Sequence, residues 1–258
     1  MRLGKIQAIL FDLGDTLINF GPLRIFEIFE QASQKSYDYL KKMNQPVGGF
    51  QWYHFLNANA IRLRLLMSFF SGNDFDSLEA LKFYGKQRGF SLNHEQWEEL
   101  NWHWYRPLVD LASVEDDLAG SLQVLKDMEL ELGIVSNTFV NGTSLDRHLE
   151  IAGILEFFPM RLYSYEMTCR KPDRRIFEEA AKRIDAAPDR ILFVGDRINK
   201  DVEGALKVGM IPVLKRAYTN KGKTVPEGVH VIERISELAD IVRSYNGQEE
   251  PAEPVPVE

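Results

Sequence analysis

The sequence predicts an α/β fold: a doubly wound parallel-sheet core interrupted by an all-helical insert. Three observations carry this. From Glu115 onward, short apolar runs alternate with segments of helical periodicity, the grammar of a parallel sheet covered on both faces. Between about Phe20 and Leu108 apolar residues recur at helical spacing instead. Finally, Asp12, Ser136 and Asp196 each directly follow a run that reads as a strand. In open α/β sheets the ligand crevice lies outside the carboxyl ends of the strands.

Ile6 to Phe11 reads as the first buried strand, a short apolar run without clean alternation. In the insert, Leu23, Ile25, Phe26, Phe29 and Ala32 fall at helical spacing, as do Phe55, Leu56, Ile61, Leu63, Leu65 and Leu66, then Leu78, Leu81, Phe83 and Tyr84. Pro46–Gly49 and Ser71–Asp74 punctuate these runs as loops. A helix is expected over Asp117–Met128, a strand over Leu132–Val135, a helix over Ser144–Ile151 and a strand over Arg161–Tyr165. A helix over Asp173–Ile184 and a strand over Ile191–Val194 follow. The helix Val202–Val208 is closed by Gly209, and strands at Ile211–Leu214 and Val229–Ile232 precede a last helix, Ile235–Val242. This divides the chain into a discontinuous core, 1–19 and 109–245, a helical cap, 20–108, and an acidic tail, 246–258, whose Pro- and Glu-rich composition predicts disorder.

Composition narrows the function. The 45% hydrophobic content supports a sizeable core, and no basic block forms a nucleic-acid footprint. With a formal net charge of -7, the chain must hold any phosphate by local donors rather than by a global field. Cys169 is the only cysteine, which excludes an internal disulfide and fits a reducing, cytoplasmic setting. The apolar run at the start breaks at Asp12, so it does not read as a signal peptide, and no segment approaches the ~18 apolar residues of a membrane span.

Four short signals concentrate the chemistry: FDLGDTL at Phe11–Leu17, SNT at Ser136–Thr138, RKPD around Lys171, and GDRINKD at Gly195–Asp201. Together they offer a nucleophile, a hydroxyl, a cation and an acidic metal site. These motifs, extended as RKPDRRIF and VGDRINKDVEGA, resemble those of the haloacid dehalogenase superfamily. The similarity is closest to its phosphatase-like members with a helical cap inserted after the first motif. It covers Ile6 to about Val242.

The resemblance implies Mg2+-dependent hydrolysis of a small phosphorylated metabolite. Asp12 is then the nucleophile that forms an aspartyl phosphate, and Ser136 is the hydroxyl that binds a phosphoryl oxygen, joined by Asn137. Lys171 is the cation that pairs with Asp12 and the phosphate. Asp12, Asp196, Asp201 and the carbonyl of Gly14 are the implied metal site, a set of hard oxygens suited to Mg2+. Asp201 also reads as a helix N-cap. Gly14 departs from the family pattern, which places a second, acid–base carboxylate there. Asp15, one residue later, reads either as a displaced acid or as a residue that shapes the loop.

Trp52, His54, Asn57, Trp102 and Arg106 from the cap, and Arg170 beside Lys171, are candidate substrate contacts, although aromatics at helical spacing are more often core. Two other functions remain open at this stage. One is a metal-free 2-haloacid dehalogenase, disfavoured by Asp196. The other is a phosphate-binding or interaction module with little catalysis, suggested by Gly14. The sequence leaves the substrate and the oligomeric state open.

Overall fold

A computed structural model describes residues 5–247. Six strands form one parallel sheet in the order β3-β2-β1-β4-β5-β6. They are β1 (Ala8–Phe11), β2 (Glu131–Ser136), β3 (Met160–Tyr163), β4 (Ile191–Gly195), β5 (Ile211–Lys215) and β6 (His230–Ile232). β1, β2 and β4 are almost wholly buried, as strands covered on both faces must be. Strand order reverses at β1, which has β2 on one side and β4 on the other. The ends of these three strands therefore lie side by side, and the Asp12 N–H donates to the Val194 carbonyl at 2.8 Å. A switch point of this kind opens a crevice.

The insert between β1 and β2 holds α1 (Ile25–Lys42), α2 (Phe50–Ser71), α3 (Ser77–Gln87) and α4 (His94–Leu111). A capping box starts α4, with Asn93 and Gln96 each accepting from the other's backbone N–H. α4 runs through Pro107 and past Leu108, where the cap was expected to end. Proline costs the helix one hydrogen bond, and the packing of Tyr105 and Leu108 against the main core retains the last turn. The two linkers meet just outside: Asn19 and Ser113 exchange backbone hydrogen bonds of 2.7 and 3.0 Å, a short neck between insert and sheet. The insert has its own small core around Leu40, Tyr53, Trp97 and Leu100.

The helices that cover the sheet are α5 (Leu118–Asp127), α6 (Gly142–Ile151), α7 (Arg174–Arg183), α8 (Glu203–Val208) and α9 (Leu238–Asn246). Two differ from the sequence expectation. A wide helical turn, Ile198–Val202, precedes α8, because Asp201 is drawn inward and accepts from the Arg197 N–H. α9 extends to Asn246, whose Oδ1 accepts from the Ile6 N–H at 2.8 Å, so Asn246 belongs to the fold and not to the tail. The remainder of the expected tail, 248–258, lies outside the described residues.

α7 and α8 approach closely at Gly204, where a Cβ would sit 2.3 Å from Phe177 Cζ. That ring is buried and packs on Phe193 with centroids 4.8 Å apart, so it has no room to yield. Gly204→Ala is expected to destabilise the fold by about 1–3 kcal/mol, read as a lower midpoint in urea denaturation. An unchanged midpoint would contradict this packing.

Candidate active site

Asp12 sits one residue beyond β1, in the turn that leaves the sheet. Its Oδ1 accepts from the Leu13 N–H at 2.8 Å and lies 2.8 Å from Lys171 Nζ. The same ammonium lies 2.7 Å from Asp201 Oδ1. Lys171 is fully enclosed and rests over the Phe193 ring, 5.3 Å from its centroid. Asn137 clamps its backbone: Oδ1 accepts from the Lys171 N–H and Nδ2 donates to the Lys171 carbonyl, both at 2.8 Å. The side chain of Asn137 is thus committed to holding Lys171, a different task from the phosphate contact anticipated for it. Ser136, the last residue of β2, is buried and lines the cavity over Asp12.

Asp196 follows β4. Its Oδ2 accepts from Thr219 Oγ1 and its carbonyl from Asn220 Nδ2, while its Oδ1 is buried without a partner among the protein groups. Asp201 turns its Oδ2 to the Arg197 N–H at 2.8 Å. It therefore braces its turn from within, and the N-cap reading does not hold because α8 begins only at Glu203. Gly195 makes room for it: a Cβ there would lie 2.4 Å from Asp201 Cβ. Oxygens of Asp12, Asp196 and Asp201 all fall within 4.8 Å of one another.

Three clustered carboxylates share one buried ammonium, and the half-exposed Arg197 guanidinium, 3.6 Å from Asp196 Oδ2, offsets only part of the remaining negative charge. Burial, then the charge of Asp12, pushes Asp196 up to about 7. Burial also raises Asp201, against the pull of Lys171. For Lys171 burial alone would lower the pKa, but Asp12 and then Asp201 outweigh it and hold it above the ordinary value. The orphaned Asp196 oxygen and the uncompensated charge fit a hard divalent cation.

The first loop is held by Asp15, which has a left-handed backbone (φ 59°). Its Oδ1 accepts from the N–H groups of Phe20 and Gly21 at 3.0 and 3.2 Å. Gly14 is not in the left-handed region, and a Cβ there would meet the Phe20 ring at an ordinary 3.6 Å. The backbone and the space at position 14 therefore admit a side chain.

A cavity of about 280 Å³ opens over these groups. Its far wall comes from Phe20, Leu23, Tyr105 and Leu108, and Arg197 and Lys200 add two cations. Lys200 is held below its ordinary pKa by burial, then by Arg197 and Lys171. The Tyr105 hydroxyl is 2.9 Å from His148 Nδ1, and burial lowers His148 to about 4, so the ring is neutral near pH 7. Sequence reasoning did not single out these cavity residues. Phe20 and Leu23 follow the first motif, and Arg197 and Lys200 lie inside the fourth, so proximity to the motifs was the available signal. Tyr105 gave none.

None of the six anticipated substrate contacts lines this cavity. Trp52 projects from α2 and is 62% exposed, and His54 stacks on Phe50. Asn57 accepts from Arg88 inside the insert. Trp102 is buried beneath the Arg147 guanidinium, 4.3 Å from its ring centroid, and Arg106 pairs with Asp110. Arg170 reaches Asp74 at 3.0 Å and Ser68 at 3.2 Å, which ties the insert to the core. The physical reason is helical phase: on α4, Tyr105 and Leu108 share the cavity face, and Arg106 points elsewhere.

The Asp196 shift sets a pH test. Its folded pKa, about 7, exceeds the ordinary 3.8, so the folded state holds the proton more tightly. This carboxyl therefore costs stability increasingly as pH rises from near 4 through 7. His148 acts in the opposite sense, since a lowered folded pKa costs stability as pH falls below 6.5. Comparing wild type with Asp196→Asn cancels the histidine term. In chelator, the variant is expected to gain in urea midpoint over wild type as pH rises from 5 to 8. A constant difference would contradict the buried-carboxylate reading.

Known proteins share this arrangement to different extents. The pattern of haloacid dehalogenase-like hydrolases matches residues 6–209. A glyceraldehyde 3-phosphate phosphatase of Methanopyrus kandleri is 33% identical over 135 residues, covering 49% of this chain and 55% of that protein. The match thus spans about half the length of that curated relative. Pyrophosphatase PpaX of Bacillus mycoides is 25% identical over 247 residues, covering 94% of this chain and all of that protein. The crystal structure of a 2-haloacid dehalogenase from Pseudomonas syringae pv. Tomato superposes with a TM-score of 0.62 at 19% identity, over 93% of this chain and 99% of the other. At that identity the likeness shows the fold alone. The matched pattern runs from the strand that carries Asp12 through α8, and the chain belongs to the haloacid dehalogenase-like hydrolases.

Proposed function

We propose that this chain hydrolyses a small phosphomonoester by way of an aspartyl phosphate on Asp12, with Mg2+ as its metal. The observation that carries this reading is the pairing of Lys171 with Asp12 and Asp201 beside the orphaned oxygen of Asp196. It supports a site built for a divalent cation and an incoming dianion. Asp12 and Asp196, with Asp201 and the Gly14 carbonyl, would hold the ion. When bound, it offsets the repulsion between Asp12 and the phosphate and stabilises the charge of the transferring group.

The chain's own residues supply the rest. The free Asp12 oxygen forms a bond to phosphorus while the bond to the leaving oxygen breaks and that oxygen keeps the electron pair. Lys171 holds Asp12 in place and balances charge on the equatorial oxygens. Water then attacks the same phosphorus, releasing inorganic phosphate and restoring Asp12. A cavity of about 280 Å³ favours a substrate with few atoms beyond its phosphoryl group. The relatives' substrates, glyceraldehyde 3-phosphate and pyrophosphate by name, both meet that limit. The acidic cluster disfavours the metal-free dehalogenase, whose chemistry has no use for Asp196. We place the enzyme in the cytoplasm on its single, unpaired and buried cysteine, which suits a reducing setting.

Release of phosphate from an aryl phosphate tests this. Turnover is expected to require Mg2+ and to vanish in Asp12→Asn; equal rates in the two proteins would overturn the reading. Binding of sugar phosphates without turnover would favour the interaction module instead.

Position 14 refines the chemistry. With no carboxylate there, the departing oxygen leaves unprotonated, so aryl phosphates should react much faster than alkyl phosphates. Asp15 is engaged with two backbone N–H groups, which favours its loop-shaping role. Gly14→Asp is expected to raise alkyl phosphate turnover by up to roughly 100-fold. A steady-state comparison of the two ester types measures it, and no gain with Mg2+ affinity intact would contradict the missing-acid explanation.

A further inference from the structure

The helix α2 is apolar on two sides. Tyr53, Asn57, Ile61 and Ser68 are its buried residues and face the protein. Trp52, Phe55, Asn59, Leu63, Leu66 and Phe70 are separated by three or four residues, so they fall in one stripe along the opposite face. Each is exposed, and the five apolar ones range from 53% for Leu63 and Leu66 to 79% for Phe70. Met67 and Phe69 flank the stripe at 58% and 73% exposure. A buried aromatic side chain covers about 150–250 Å², so this face offers on the order of 700 Å² of apolar surface. That exceeds the ~300–600 Å² patch usual on a monomer and approaches the ~800 Å² each partner gives to a stable complex.

We propose that α2 is a homodimerisation helix, paired antiparallel with α2 of a second copy about a two-fold axis. The stripe is self-complementary in that arrangement. Centred between Asn59 and Leu63, it sets Trp52 against Phe70 of the second copy, Phe55 against Leu66, and Asn59 against Leu63. No acid or base stands in the stripe, so two copies meet without like-charge repulsion. The polar residue near the centre, Asn59, donates its Nδ2 to the Phe55 carbonyl at 2.8 Å within its own helix, so its amide is partly satisfied at the contact. The contact is isologous and closes on itself, as dimer contacts do. A lipid surface fits less well. α2 carries only the cations Arg62 and Arg64, which lie over the rings of Phe26 and of Phe75, Phe83 and Tyr84 at 5.6–5.9 Å, and the chain is acidic overall.

Sedimentation velocity of the full chain tests this, and a dimer is expected at micromolar concentration. Leu63→Glu with Leu66→Glu should give a monomer with an unchanged circular dichroism spectrum and unchanged aryl phosphate turnover, since neither residue lines the cavity. Oxidation of the Asn59→Cys, Leu63→Cys variant should give a disulfide-linked dimer, and Cys169, being buried, does not compete. A Lys41→Cys control on α1 should stay unlinked. A monomeric wild type would overturn the proposal, as would a dimer indifferent to the glutamates. Co-flotation of a monomeric wild type with phosphatidylcholine or phosphatidylglycerol vesicles would reassign the face to lipid. Dimerisation only after deletion of 248–258 would show that the tail covers it.

Discussion

The Lys171 ammonium lies 2.8 Å from Asp12 and 2.7 Å from Asp201, where burying any one of these charges alone would cost several kcal/mol. Much of the site exists to make that burial tolerable. Asn137 grips the lysine backbone from the end of β2, and Phe193 on β4 lies beneath the ammonium. Gly195 leaves space for Asp201, and the wide turn at Ile198–Val202 bends to deliver it. Strands β1, β2 and β4 and the loop after β3 each contribute one piece. The strand order that reverses at β1 is what brings those pieces together.

Three carboxylates share one buried ammonium, with Arg197 and Lys200 at the less buried cavity wall, and this imbalance within the buried cluster links structure to chemistry. Burial, then the charge of Asp12, raises Asp196, one oxygen of which has no partner among the described residues, and the cluster suits a divalent cation arriving with a phosphate. The insert plays a different part. Ser164 donates to Asp74, Asn141 donates to Asp76, and the Ser77 N–H donates to the Phe139 carbonyl, which docks the insert on the loops after β2 and β3, while its neck is pinned at Asn19 and Ser113. The wall it presents to the cavity is apolar apart from the Tyr105 hydroxyl, which is turned to His148. The polar and charged groups lining the cavity come mainly from the core, among them Arg197 and Lys200.

The core was legible in the sequence because buried parallel strands are short apolar runs that end abruptly, and Asp12, Ser136 and Asp196 mark three of those ends. The helical insert was legible as periodicity. What faces its cavity was not, because apolar spacing reveals a buried stripe without saying which surface it is buried against. Trp102 and Tyr105 share one helix and one apolar cluster, yet only Tyr105 reaches the site. The hold of the Asn137 amide on Lys171 was hidden for a related reason: a turn amide beside a strand end can face ligand or backbone, and its side-chain bonds depend on where Lys171 lies. Trp52 was anticipated as a substrate contact and Phe55 as helix packing, but both lie on the outside of the insert.

Asp12 as the nucleophile that accepts the phosphoryl group is the point on which the proposed chemistry turns. The most direct measurement is borohydride reduction during steady turnover of an aryl phosphate with Mg2+, followed by peptide mass spectrometry. An acyl phosphate is reduced to an alcohol, so an aspartyl phosphate at position 12 becomes homoserine, whereas free carboxylates survive. Homoserine at Asp12, dependent on both substrate and metal, is the expected result. Homoserine at Asp15 instead, or none anywhere while phosphate is being released, would contradict it.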